Sequence, residues 1–98
     1  MARVTWTTQA LDDLDSVCLF IARDAQRYAG LFARRVLRAT ERLEQFPHSG
    51  RIVPEIGRDD LREIIVHSYR VIYRIHENEV EILTVHHGAR LLDAFESP

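Results

Sequence analysis

Apolar residues in the first half of the chain recur every three or four positions, which predicts two amphipathic helices. The apolar stripe of the first helix consists of Leu11, Leu14, Cys18, Ile21 and Ala25. The apolar stripe of the second consists of Ala29, Phe32, Val36, Ala39, Leu43 and Phe46. A hydroxyl of Thr7 or Thr8 can cap the first helix, which should end near Asp24, and the second should run from about Gln26 to Gln45. Because few residues separate them, the two should form an antiparallel helical hairpin.

Short β-branched and aromatic runs predict four strands, one before the helices and three after them. The predicted strands are Arg3–Trp6, Leu61–His67, Tyr69–His76 and Val80–His87. Pro54 and Gly57 interrupt the segment 51–60, which should be a loop. The order β-α-α-β-β-β indicates a single α+β domain over residues 1–98, in which an antiparallel sheet packs against the helical hairpin.

Alternation along the strand 69–76 separates two faces. The face with Tyr69, Val71, Tyr73 and Ile75 is the better core candidate, and the other holds Arg70, Ile72, Arg74 and His76. Two arginines on a solvent-facing sheet surface can bind phosphate. The alternative is a solvated face on which these arginines form cross-strand ion pairs with Glu63 and Glu81.

The 98-residue chain contains one cysteine, Cys18. A single cysteine excludes a disulfide within the chain, which fits a reducing cytoplasm, and its place on the helix stripe favours a core role. No apolar run approaches the ~20 residues of a membrane span, so we expect a cytoplasmic protein. Because no HExxH or paired Cys/His pattern is present, we expect no metal and no cofactor.

All 13 basic residues are arginine. The lack of lysine excludes Schiff-base lysine chemistry and a phosphate-loop lysine. Residues 25–51 carry six arginines against two acidic residues, a balance of +4, within a chain of net charge −2. This distribution indicates local basic patches on a polar surface rather than one nucleic-acid footprint.

Two of the five histidines, His86 and His87, are adjacent on the last predicted strand. They should point to opposite faces, which is poor geometry for a shared metal ion. One of them could act as a general base near Arg90. A structural or exposed histidine is the alternative.

Four motifs occur in order along nearly the whole chain. They are Val4-Thr5-Trp6 with Ala10-Leu11-Asp12-Asp13-Leu14, Phe46-Pro47-His48-Ser49-Gly50-Arg51, Leu61-Arg62-Glu63-Ile64 with Tyr69-Arg70-Val71-Ile72-Tyr73-Arg74, and Val85-His86-His87-Gly88-Ala89-Arg90. In this order and at this chain length they resemble the RelE/ParE superfamily of toxins from type II toxin–antitoxin, or plasmid stabilisation, modules.

The resemblance implies a toxin that a cognate antitoxin holds inactive, with an apolar antitoxin groove along the helical hairpin and the sheet edge. Two activities occur in this superfamily. RelE-like members cut mRNA on the ribosome without a metal, using basic residues and often a C-terminal tyrosine or histidine. ParE-like members share the fold, have largely lost that residue set and poison DNA gyrase.

If the chain is a ribonuclease, the resemblance implies catalytic roles for Arg62, Arg70, Arg90 and His87. The lysines of RelE-like nucleases are missing, and Arg62 falls close to one of them. An arginine stabilises an oxyanion but is a poor general base. The terminal tyrosine is also missing, and Phe95 has no hydroxyl. We therefore expect a ParE-like gyrase inhibitor; the alternatives are a metal-free, ribosome-dependent mRNA endoribonuclease and a decayed member that only binds its antitoxin.

Overall fold

The computed structural model describes residues 1–89, which form two helices and five strands. The helices are α1 (Thr8–Ala22) and α2 (Gln26–Glu41), the latter followed by a 3₁₀ turn (Arg42–Glu44). The strands are β1 (Arg3–Trp6), β2 (Arg51–Ile52), β3 (Leu61–Val66), β4 (Tyr69–His76) and β5 (Glu79–His87). The Thr7 hydroxyl caps α1 by accepting from the Ala10 backbone N–H at 3.0 Å, as predicted. The α+β order is confirmed, with both helices close to their predicted bounds.

The strands form one sheet in the order β1-β5-β4-β3-β2. Strands β2 to β5 are antiparallel neighbours, but β1 runs parallel to β5, with Arg3 opposite Glu79. The prediction of a wholly antiparallel sheet was therefore wrong in this pairing, and the sheet is mixed. The first strand pairs with the last, so its direction follows from the whole intervening path rather than from a hairpin. The two-residue β2 lies inside the segment predicted to be a loop.

One face of the sheet packs against the two helices and forms the main core. This core consists of Ala10, Phe32, Val36, Leu43, Val66, Val71, Tyr73, Val80, Ile82 and Val85. Cys18 packs partly buried against it, and burial, followed by the negative charge of Asp15, raises the pKa of its thiol. A thiol with a raised pKa is a weak nucleophile at neutral pH, which agrees with a structural role.

The opposite face of the sheet is covered as well, by the segment that follows β2. Val53 is fully buried against Leu61 and Ile72, and Ile56 packs on the same cluster. The prediction that the face of Arg70 and Ile72 is open to solvent was therefore wrong. Strand periodicity shows which side chains share a face, but it does not show that a distant loop folds over that face.

Within residues 1–89, neither helix combines the length and the apolar character that crossing a bilayer requires.

Candidate functional site

Arg70 lies under the segment after β2 in a cluster of four charged side chains: Arg51, Glu55, Glu63 and Arg70. It is here called the buried ion cluster after its two buried members, Glu63 and Arg70, and Arg51 and Glu55 form its more exposed rim. Arg70 is 4% exposed, and its Nε donates to Oε1 of Glu63 at 2.7 Å. Its two terminal nitrogens donate to the two carboxylate oxygens of Glu55 at 2.6 and 2.7 Å. Arg51 Nε donates to the other oxygen of Glu63 at 2.5 Å. The cluster therefore pairs two guanidinium groups with two carboxylates.

These contacts match the predicted cross-strand ion pairs rather than an open phosphate-binding site. Glu63 is 1% exposed, and a buried carboxylate of this kind needs a paired cation to offset its lost hydration. Arg74 pairs with Glu81 at 2.9 Å, so both cross-strand partners considered from the sequence are present. The carboxylates beside Arg70 occupy its donors and raise its pKa further above the ordinary arginine value.

Hydrogen bonds from Arg70 lower the pKa of Glu55 from 4.5 to about 2. A carboxyl group whose pKa is lower in the folded state stabilises the fold above its unfolded pKa, and this stabilisation disappears as the pH falls through the folded value. We therefore expect the urea midpoint to decrease between about pH 4.5 and pH 2. E55Q should remove part of that decrease, as urea titrations at several pH values can measure. An unchanged pH dependence in E55Q would contradict the assignment.

Arg62, a predicted catalytic residue, holds together the turn before β2. Its Nη1 donates to the carbonyl oxygens of His48 and Gly50 at 3.1 and 3.0 Å. Its Nε and Nη2 donate to the backbone and side chain of Asp59 at 3.0 and 2.7 Å. Its side chain is only 14% exposed. The structure thus gives Arg62 an anchoring role between the turn and the segment that enters β3.

Tyr73 supports the same turn from the core. Its hydroxyl donates to the Pro47 carbonyl at 2.8 Å and accepts from the Gly50 backbone N–H at 3.0 Å. Burial raises the pKa of the Tyr73 hydroxyl, which therefore stays protonated and able to donate. The Phe46–Arg51 motif is consequently a structural turn fixed by Tyr73 and Arg62.

The structure does not bring the predicted catalytic side chains to one point. His87 is exposed, its ring packs edge-on against Tyr69 at 5.5 Å, and its Nδ1 accepts from the Ala89 N–H. Tyr69 of β4 lies opposite His87, whereas Arg62 lies opposite Tyr73, four residues or about 13 Å further along β4. The adjacent Arg70 points to the other face of the sheet. Arg90 lies outside the described residues, and the catalytic roles stay predictions.

Two recesses lie along α2, one beside the β3–β4 turn and one beside β3, and together they are here called the α2–β3 groove. The first, of about 290 Å³, is lined mostly by apolar side chains, including Tyr28, Leu31, Phe32 and Tyr69, with Arg35 and His67 among them. The second, of about 340 Å³, is lined by residues that include Ala39, Arg42, Arg51, Ile64 and Ile65.

The edge of β3 beside this groove is only partly paired. β2 covers Arg62 and Glu63, so within residues 1–89 the backbone of 64–66 lacks a strand on that side. Ile65 is 51% exposed there. An unpaired strand edge next to apolar recesses can accept an extended peptide or a helix from a partner.

Among residues 1–89, no group of three or more histidine, cysteine, aspartate or glutamate side chains is arranged to hold a metal ion.

Residues 4–92 match the family described as the ParE toxin of the type II toxin–antitoxin system parDE. The chain belongs to the ParE toxin family. This ParE toxin is similar in sequence to the Sinorhizobium fredii protein named "Putative toxin Y4kP". The two are 36% identical over 89 residues, which cover 88% of each chain.

Two solved structures share the fold of this ParE toxin. A chain of the structure named "Chromosomal ParDE TA system from P. aeruginosa" has a TM-score of 0.74 and 19% identity, over 89% of this chain and 96% of that one. The conserved hypothetical protein HP0894 from Helicobacter pylori has a TM-score of 0.55 and 16% identity, over 92% of this chain and 98% of that one. The similarity covers nearly the whole of each chain and confirms the predicted fold class.

Sequence reasoning found only one of the two acidic partners that Arg70 has in this ParE toxin. Glu63 was considered, but Glu55 lies in a segment predicted to be a loop, and its pairing depends on how that segment folds over the sheet. The sequence did contain a signal for the recess beside α2. Tyr28 and Leu31 are large apolar residues that lie outside the predicted apolar stripe of the second helix.

Proposed function

We propose that this ParE toxin inhibits DNA gyrase and that a cognate antitoxin neutralises it by binding in the α2–β3 groove. The observation that carries the choice of gyrase is the placement of Arg70. Its guanidinium is buried and bonded to Glu55 and Glu63, so it is not presented to an RNA phosphate. Membership of the ParE family supports the same choice.

The α2–β3 groove supports the antitoxin part of the proposal. It combines an unpaired strand edge with partly exposed apolar side chains, among them Leu31 at 39% and Ile65 at 51% exposure. Interfaces are enriched in aromatic and arginine side chains, and Tyr28, Arg35 and Arg42 line the two recesses. The P. aeruginosa structure of the same fold is that of a chromosomal ParDE toxin–antitoxin system.

Expression of the chain without antitoxin tests the target. We expect double-strand breaks in DNA and intact mRNA, and the purified protein should inhibit supercoiling by gyrase. Codon-positioned cuts in mRNA would instead establish the ribonuclease alternative. A chain that binds antitoxin but causes neither effect would be a decayed toxin. R74A should cause the same DNA breaks as the unaltered chain. Arg74 lies outside the buried ion cluster and pairs with Glu81 on a partly exposed surface.

Co-expression with the product of an adjacent small gene tests the groove. We expect L31E to weaken the complex more than tenfold, because it places a charge against the apolar recess. L11E is the matched control, since Leu11 is 53% exposed on α1 and does not line the groove. Titration calorimetry measures both. Equal effects of the two substitutions would contradict the placement of the antitoxin.

A further inference from the structure

We propose that Arg35 and His67 form a carboxylate-recognition site at the rim of the 290 Å³ recess. The occupant we infer is an acidic segment of a protein partner that inserts one large apolar side chain and places a neighbouring carboxylate on Arg35. The identification of this partner with the antitoxin rests on the proposed function; the chemistry of the site does not.

The recess suits one aromatic or branched aliphatic side chain. The rings of Phe32 and Tyr69 pack together with centroids 5.2 Å apart, and Phe32 is 3% exposed. Tyr28 and Leu31 border the recess and are 59% and 39% exposed. Because these large apolar surfaces remain in contact with water, insertion of an apolar group would bury them favourably.

The polar rim is oriented by a contact between Arg35 Nη1 and His67 Nε2. A guanidinium has no acceptor, so it donates and the imidazole nitrogen accepts. His67 lies at the β3–β4 turn with φ of 55°, a backbone conformation that is uncommon outside glycine. The imidazole at this turn restrains the guanidinium of Arg35, which lines the recess.

Charge complementarity selects the class of occupant. Among residues 1–89, Arg35 has no carboxylate partner, and the hydrogen bond of its side chain is with His67. The surrounding segment 25–51 has a balance of +4, six arginines against two acidic residues. A guanidinium with free donors beside an apolar recess favours a carboxylate on an amphipathic peptide. A nucleobase can stack on an aromatic lining, so a single-stranded oligonucleotide is one of the probes in the test.

The site can be tested on the full chain with a small probe, 3-phenylpropionate. Its uncharged amide, 3-phenylpropanamide, is the matched ligand control. We expect the acid to shift the backbone NMR signals of Arg35, His67 and Tyr69 and to bind about fivefold more tightly than the amide. Equal affinity for acid and amide would refute the carboxylate site.

Two neighbouring substitutions separate this site from general attraction to a basic helix. R35Q should lower the ratio of acid to amide affinity from about fivefold to about one, because the glutamine carries no charge to pair with the carboxylate. R34Q removes the same charge one residue away, outside the recess lining, and should leave the ratio of acid to amide affinity near fivefold. Equal losses in R34Q and R35Q would overturn the proposal, as would tighter binding of a ten-nucleotide thymidine strand at the same signals.

His67 is a positioning residue, so its substitution should change the preference of the recess for the acid over the amide. H67N keeps a residue that tolerates a positive φ but is too short to hold Arg35. We expect H67N to reduce the ratio of acid to amide affinity below about fivefold, because Arg35 is no longer held at the recess. A full fivefold ratio in H67N would remove His67 from the site.

The partner assignment has its own test with the antitoxin complex. Binding of antitoxin to the unaltered chain tests the proposed function. A weaker complex with R35Q than with R34Q supports the inferred contact, and equal affinities would refute the contact while leaving the antitoxin proposal intact.

Discussion

Replacement of Glu63 by alanine should lower the free energy of unfolding by about 3–5 kcal/mol. The substitution leaves Arg70, which is 4% exposed, without its most buried counter-charge. It also releases Arg51, because both guanidinium groups donate to this one carboxylate. Urea unfolding of E63A at neutral pH measures the loss.

E81A is the matched control for E63A. Glu81 also pairs with an arginine across the sheet, but the side chains of Glu81 and Arg74 are both 39% exposed. Exposed ion pairs contribute about 0–1 kcal/mol, so E81A should remain close to the unaltered chain. Similar losses in E63A and E81A would show that burial does not set the stability of the cluster.

The same reasoning changes how substitutions of Arg70 are read. R70A would leave Glu63 and Glu55 without their shared donor, so a loss of toxicity in R70A could come from unfolding alone. A circular dichroism melt of R70A should therefore accompany any activity measurement. If the unaltered chain cleaved mRNA and a folded, stable R70A did not, Arg70 would be a catalytic residue of the ribonuclease.

Replacement of Gly50 by alanine should lower the free energy of unfolding by about 2–4 kcal/mol. A Cβ atom at this position would lie 2.5 Å from the Tyr73 hydroxyl oxygen and 2.7 Å from the Glu63 carbonyl oxygen. Neither neighbour can move freely, because the hydroxyl bonds Pro47 and the carbonyl belongs to β3. Thermal unfolding of G50A measures the effect.

G30A provides a control of opposite sign. Gly30 lies within α2, and a Cβ there would meet only the end of the Arg34 side chain at 3.9 Å. Alanine in a helix interior is favoured over glycine by about 1 kcal/mol, so G30A should stabilise the protein. If G50A were as stable as G30A, close packing of the turn would not explain the glycine in the Phe46–Arg51 motif.

The sequence was sufficient for the features that depend on local pattern. The three-and-four spacing on α2 identified Phe32, Val36 and Leu43 as core, and alternation on β4 identified Val71 and Tyr73. These positions follow from periodicity because one side of each element faces the same core.

Long-range contacts were beyond the reach of local pattern. The parallel pairing of β1 with β5, and the covering of Arg70 by the segment with Glu55, join residues far apart in the chain. Arg62 was recognised through a motif and given a catalytic role only under the ribonuclease alternative. Its bonds to the carbonyls of His48 and Gly50 require the folded turn to be seen.

The pairing of β1 with β5 also has a consequence for synthesis of the toxin on the ribosome. Thr7, at the end of β1, bonds the Ile82 carbonyl, a contact that spans 75 residues of sequence. Domains fold as units, and contacts this distant close only when both segments are available. The nascent chain therefore cannot complete its sheet until β5 has left the exit tunnel. Until then the parallel pairing with β1 and the core residues Val80, Ile82 and Val85 are missing from the fold.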